Sequence, residues 1–414
     1  MAQILPFAGI RPLPELAASV SSRSPDRYTP EELQDTLNRN PHSFLQIIFP
    51  DHADGQVTKP GSPERLRKIK SRYVEFRQNG YFLQDTKPVY YIYRQETPDH
   101  CYTGIIACSS VNDYEQGVIK IHEQTLTDRE EKLKEYLEVC DYNSEPILFC
   151  YPDHALLNQL VAEITTLNPE YDFTTRGEMR HRLWLVSEPE KVKNITNYFG
   201  EIPAIYIADG HHRSASSAGL ARDRRMHNPQ FMGKEPWNFF MGIYFPESEL
   251  RIVDYNRLVK DLQGLDLETL LSRLGVYFEI TPMSNSVYTP DAKFTFSLYA
   301  DGQWFKLKIK PEFTQSENPA ERLDSALLTQ YILSPILGIH DLKNDKRIGF
   351  LEGTCGPIAL KEAVDSGKFA AAFGLYPVQM QELKNIADAG EIMPPKTTWV
   401  EPKLRNGLVV YPLS

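Results

Sequence analysis

The most regular pattern along the chain lies between Lys293 and Lys310. Phe294, Phe296 and Leu298 alternate with Lys293, Thr295 and Ser297, and Phe305, Leu307 and Ile309 alternate with Lys306, Lys308 and Lys310. A period of two belongs to a strand with one buried face. Asp301-Gly302, between the runs, suits the positive φ of a type I′ turn, so a hairpin is predicted over 293–310. Shorter apolar runs at 89–93, 103–108, 146–151, 182–186 and 204–208 predict further strands. Helical spacing appears at Leu133, Tyr136, Leu137 and Cys140, behind Thr127-Asp128-Arg129-Glu130, which reads as a capping box. Thr29-Pro30-Glu31-Glu32 reads as a second helix start with proline at the first helical position. Helices are also predicted over 64–79, ended by Gly80, over 189–198, and from about Ser214 to Met226. Residues 153–180 read as one helix and a loop, and an α/β stretch runs from Pro319 to the end.

The chain has 414 residues, which at roughly 100–200 residues per domain predicts two or three domains. Apolar residues make up 41 % and charged residues 24 %, an ordinary globular composition. The 20 Phe and 22 Tyr residues favour a large β component. The net charge of −10 argues against nucleic acid as a partner, because phosphate contacts need clustered cations. No apolar run reaches the ~18–20 residues of a membrane helix. The N-terminus also lacks a secretory pattern. The five cysteines are scattered, with no C-x-x-C, which speaks against a zinc site or disulfide framework. A reducing, cytoplasmic setting is the expectation.

Candidate chemistry concentrates in Ala208-Asp209-Gly210-His211-His212-Arg213-Ser214, between a buried strand and a helix rich in small residues. Gly210 permits a sharp turn. A helix start there suits phosphate, and His211, His212 and Arg213 add hydrogen-bonding or cationic side chains. Asp209 is suited to hold Mg²⁺, orient a histidine, or accept a substrate ammonium or hydroxyl. A solvated capping loop is the plainer reading, but four polar groups in a row at a strand–turn–helix junction favour a site. His122-Glu123 lies upstream, and Glu123 is either a general base or a carboxylate favouring a helix start. Near the C-terminus Lys396, Lys403 and Arg405 flank Trp399 between prolines. That stretch is either a rigid tail or a cationic flap that excludes water from a second phosphate.

The order His-Glu, helix, strand, then Ile207 to Arg213 with a helix behind it, is similar to the ParB/sulfiredoxin superfamily. It looks most like that superfamily's free-serine kinases. The resemblance implies an α+β fold with mixed sheets: a ParB-like phosphate-binding core over 110–235, a large insertion at about 152–200, an N-terminal α/β region over 1–109 and a C-terminal α/β region over 236–414. The whole chain also resembles a large bacterial family described only as a domain of unknown function. The matching pieces are Gly9–Pro12, Asn40–Leu45, Gly117–Glu123, Ala208–Arg213, Tyr255–Arg257, Asp345–Ile348 and Met393–Arg405.

The resemblance implies an enzyme, a phosphotransferase acting on free serine or phosphoserine in either direction. Glu123, Asp209 and His211 would be catalytic. Gly210, His212, Arg213, Ser214, Lys396, Lys403 and Arg405 would hold phosphate or nucleotide, with His122 and Trp399 on the substrate. ATP, ADP or pyrophosphate would be the donor, with Mg²⁺ at Asp209. Small phosphorylated molecules are then the expected partners, with neither nucleic acid nor membrane. A ParB-type nucleotide switch and a metal-dependent hydrolase built on Asp209, His211 and His212 are the alternatives.

Overall fold

Strands Thr295–Ala300 and Gln303–Ile309 pair in the predicted hairpin register, from Thr295 opposite Lys308 to Ala300 opposite Gln303. Asp301 and Gly302 turn the chain at φ 47° and 74°, as a type I′ turn requires. Phe296, Leu298, Phe305, Leu307 and Ile309 enter one core. The other face is covered as well, because Tyr299 and Trp304 pack with Leu360 of the helix Gly356–Asp365.

The computed structural model describes residues 2–175, 178–283 and 286–414. They form an α+β protein of two compact units. The hairpin belongs to the unit built from His122–Gln124 and Arg251–Glu401. Its six-stranded sheet is antiparallel, in the order Phe278–Pro282, Gln303–Ile309, Thr295–Ala300, Ala371–Leu375, Tyr255–Val259, Ile348–Glu352. A short ladder joins Arg251–Val253 to Trp399–Glu401.

The other unit comprises Met1–Ile121, Thr125–Leu250 and Pro402–Ser414. Its nine-stranded sheet is mixed. Ile205–Asp209 runs parallel to Ile119–Lys120 and antiparallel to Ile147–Tyr151. Phe239–Pro246 runs parallel to Ile147–Tyr151 and antiparallel to Cys101–Ser110. Tyr90–Glu96, Arg180–Val186 and Tyr171–Thr174 complete that side. Ile105, Ile147, Phe149, Ile205 and Ile207 pack with Ala218 and Ala221 of the helix His211–His227. Small residues bring that helix close to the sheet and fix where its N-terminus emerges.

Three local expectations change. Thr127 does not cap its helix. Leu126 holds the N-cap position with no side-chain cap, and its own N–H donates to His212 Nε2 at 3.1 Å, the role a carboxylate three residues on has in a capping box. The capping box at Thr29 and Glu32 does form. The helix expected from Ser214 begins at His211, because Gly210 takes the turn alone. Part of the stretch read as loop is the strand Tyr171–Thr174. Only Tyr171 of its four residues is buried, so no apolar run marks it. No helix among the described residues is long and apolar enough to cross a membrane.

Candidate functional site

The site grows from the end of the strand Ile205–Asp209. Its ladder with Ile147–Tyr151 is interrupted between Ile207 and Asp209, where the register shifts. Such a bulge re-aims the side chains after it. Gly210 follows at φ 106°, and the helix begins at His211. A Cβ on Gly210 would lie 2.9 Å from Arg213 Nε and Nη2, so only glycine admits the guanidinium beside the turn. Ser214, Ser216 and Ser217 donate their hydroxyls back to the carbonyls of Gly210, His212 and Arg213. The serine hydroxyls are therefore satisfied within the helix, and Ser214 is buried.

Charged groups meet at this turn. Lys403, in the returning segment 402–414, bonds Asp209 Oδ2 at 3.1 Å. Arg213 Nη1 pairs with Glu145, and its Nη2 lies 4.0 Å from Asp209 Oδ1. Burial pushes the Asp209 carboxyl up, but Lys403 and Arg213 outweigh it and hold the group down at about 2. The Asp209 side chain keeps 45 % of its exposure, so the carboxylate is open to a ligand on one side. Burial opposes the charge on Arg213, while Glu145, Asp209 and Asp26 favour it, and the net shift is upward. His211 is buried beside Asp209. His212 is engaged through Nε2 as an acceptor, which fixes its neutral form there.

Among the sequence-predicted residues, the structure thus joins Asp209, Arg213 and Lys403 in one ionic network, with Gly210, His211, His212 and Ser214 forming the turn. Arg405 lies in the same unit, where its Nη2 donates to Ser21 O at 2.6 Å. The remaining four belong to the other unit. There the His122 carbonyl accepts from Met393 N–H at 2.8 Å, and Glu123 is exposed. Trp399 stacks on Tyr255 at 5.6 Å, and Lys396 Nζ lies 5.5 Å from the centre of the Tyr255 ring.

Sequence reasoning missed Glu145, the carboxylate that neutralises Arg213. Its only signal is an acidic residue just before a buried strand, which is ordinary for a loop. Among the described residues, no group of three or more His, Cys, Asp or Glu is placed to hold a metal ion.

Solved structures similar to this chain include a free serine kinase in complex with AMP, at 13 % identity and a TM-score of 0.37, covering 73 % of this chain and 91 % of the kinase. SbnI with a C-terminal truncation, from Staphylococcus aureus, aligns at 13 % identity and a TM-score of 0.39, over 74 % of this chain and 87 % of its own. A conserved hypothetical protein from Pyrococcus furiosus aligns at 13 % identity and a TM-score of 0.34, over 73 % and 95 %. No curated protein matches the chain by sequence. Residues 4–326 match the family described as protein of unknown function, DUF1015, and the chain belongs to that family.

Proposed function

We propose that the protein is a phosphotransferase that moves a phosphoryl group between a nucleotide or pyrophosphate and free serine. The same site can release serine from phosphoserine. The observation that carries this reading is the turn Asp209–Arg213. A bulged strand end, a positive-φ glycine, a helix start and two cations, Arg213 and Lys403, stand around one half-exposed carboxylate. Phosphoryl transfer asks mainly for positioning and neutralisation of charge. Helix N-termini and guanidinium forks supply both. The motif order shared with the ParB/sulfiredoxin superfamily and its serine kinases supports this choice, with a ParB-like core around the turn.

In this mechanism Arg213, with the first turn of the helix, grips the transferring phosphate and exchanges Glu145 for it. Lys403 keeps Asp209 ionised, so that Asp209 orients the incoming hydroxyl or ammonium with His211 beside it. Glu123 is proposed as the base that takes the hydroxyl proton. Mg²⁺ is normally held by one or two carboxylates plus substrate phosphates, and the half-exposed Asp209 fits that pattern. The ion would supply further neutralisation of phosphate charge.

The test is incubation of the purified chain with serine and ATP, ADP or pyrophosphate, and separately with phosphoserine and AMP, ADP or inorganic phosphate as acceptor. Phosphoserine formation, or transfer of its phosphoryl group to the acceptor with release of serine, is expected. Glu123→Ala should retain nucleotide binding and lose turnover, and Arg213→Ala should lose nucleotide binding. Absence of both reactions with every donor overturns the proposal.

A further inference from the structure

Two neighbouring helices in the unit with the nine-stranded sheet carry opposite charges on their outer sides. The helix Pro63–Gln78 has six cations and two carboxylates, in a chain whose net charge is −10. Asp51 takes Arg65 at 2.8 Å, Asp54 takes Lys68 at 2.9 Å, and Glu75 takes Arg72. Arg67, Lys70 and Arg77 are left: all three are exposed, and none is in an ion pair among the described residues. With Val74, which is 41 % exposed, they recur at steps of three, four and three residues. That spacing draws one stripe along a helix.

The helix Thr127–Cys140 has five carboxylates and three cations. Asp128, Glu131, Glu135 and Glu138 are exposed and recur at the same three steps, on the side away from the buried Leu137 and Cys140. Glu131 shares Lys134 with Asp223, and Glu138 pairs with Arg224 at 3.0 Å. Asp128 and Glu135 are in no ion pair among the described residues. The two helices lie side by side and antiparallel. Cys140 Sγ is 3.9 Å from the Leu66 carbonyl oxygen, and Tyr73 and Tyr136 both pack on the Tyr142 ring, at 4.1 and 5.9 Å. This arrangement sets Lys70 level with the turn from Glu135 to Glu138, and Arg77 level with the turn from Asp128 to Glu131. Each stripe runs for about 15 Å.

We propose that these two helices are where two copies of the chain associate, the basic stripe of each lying on the acidic stripe of the other. A twofold axis parallel to the helices and between them lays Pro63–Gln78 of one copy on Thr127–Cys140 of the other, and symmetry repeats the contact. An axis across the helices would set like charge on like. An anionic lipid surface or a nucleic acid would be drawn to the basic helix and repelled by the acidic one beside it. A second copy carries both charges in the matching order. The face is about 24 Å long and two helices, about 20 Å, wide. Association therefore covers about 1,000 Å² over both copies, the low end of specific interfaces, so the dimer is weak and salt-sensitive. It stands whatever reaction the Gly210 turn performs.

The experiment is sedimentation velocity of the full chain in about 0.1 M and about 1 M salt, where charges are screened over about 10 and 3 Å. The wild type should form a dimer at the lower salt and dissociate at the higher. The variant Lys70→Glu, Arg77→Glu makes both stripes acidic, and Asp128→Lys, Glu135→Lys makes both basic. All four residues are exposed, so each variant should melt within about 4 °C of the wild type. Alone at the lower salt, each should raise the dimer dissociation constant tenfold or more. Mixed in equal amounts they should dimerise again, because both contacts are then between opposite charges. The proposal is overturned if the wild type is a monomer at both salts, if its dimer ignores salt and both variants, or if the mixture stays monomeric. Binding of a monomeric wild type to phosphatidylserine vesicles, lost in Lys70→Glu, Arg77→Glu, would give the basic stripe to a lipid surface and also overturn it.

Discussion

The substitution Gly210→Ala tests whether the turn is built for Arg213. At φ 106° and ψ 28° an L-residue pays about 1–3 kcal/mol of backbone strain. Reduced freedom in the unfolded chain returns about 0.4–1 kcal/mol, which leaves up to about 2.6 kcal/mol of destabilisation. For units of about 150–250 residues, each kcal/mol moves the midpoint by about 2–4 °C. The expected fall in the transition of the unit containing the turn is thus up to about 10 °C. The new methyl also meets Arg213 Nε and Nη2 at 2.9 Å, so the guanidinium must shift from its place beside the turn. Losing one hydrogen bond from a charged group costs about 1.5–3 kcal/mol, so AMP affinity should fall about 10- to 100-fold. Calorimetry and scanning fluorimetry measure the two effects separately. In an Arg213→Ala background the stability loss should persist and the further affinity loss should vanish. Unchanged melting together with unchanged affinity in the single variant would refute the reasoning.

Other outcomes follow from individual charges. Burial pushes the Asp324 carboxyl up to about 7, although Phe294 N–H donates to both its oxygens, at 3.0 and 3.2 Å. A carboxyl raised above its unfolded value of 3.8 favours folding while protonated, so its contribution declines as pH rises toward about 7. Asp324→Asn should flatten that part of the melting profile for the hairpin-containing unit. Asp209 has the opposite sign. Its depressed carboxyl contributes above 3.8 and loses that contribution as pH falls through about 2. Lys403→Met should move the carboxyl, read by carbon NMR titration, back toward 3.8. Arg257 is fully buried, and its Nε and Nη2 have no partner. Arg257→Met should leave the melting temperature unchanged or raise it, and a fall of more than about 5 °C would contradict this.

The elements with a strong local code were legible in the chain. The hairpin over 293–310 announces itself because its period of two and its Asp-Gly pair agree. The helix at Pro30 does so because its capping box is complete within four residues. The strand into Gly210 and the helix behind it were legible for the same reason, and so was the concentration of polar chemistry between them.

A set of local units and one cationic turn could be read along the chain, since both depend on interactions a few residues apart. The remaining contacts arise only in the folded molecule. Lys403 reaches Asp209 because residues 402–414 return to the earlier unit, and Glu145 reaches Arg213 because Ile147–Tyr151 lies beside Ile205–Asp209 in the sheet. His212 accepts the N–H of Leu126 at the start of the helix Thr127–Cys140. Ser21 and Arg405 meet across almost the whole chain length. These contacts join residues far apart in sequence, and their energies come from burial and charge that exist only once the sheet has formed. The net charge of −10 thus says little about the site, whose cations are placed by the fold.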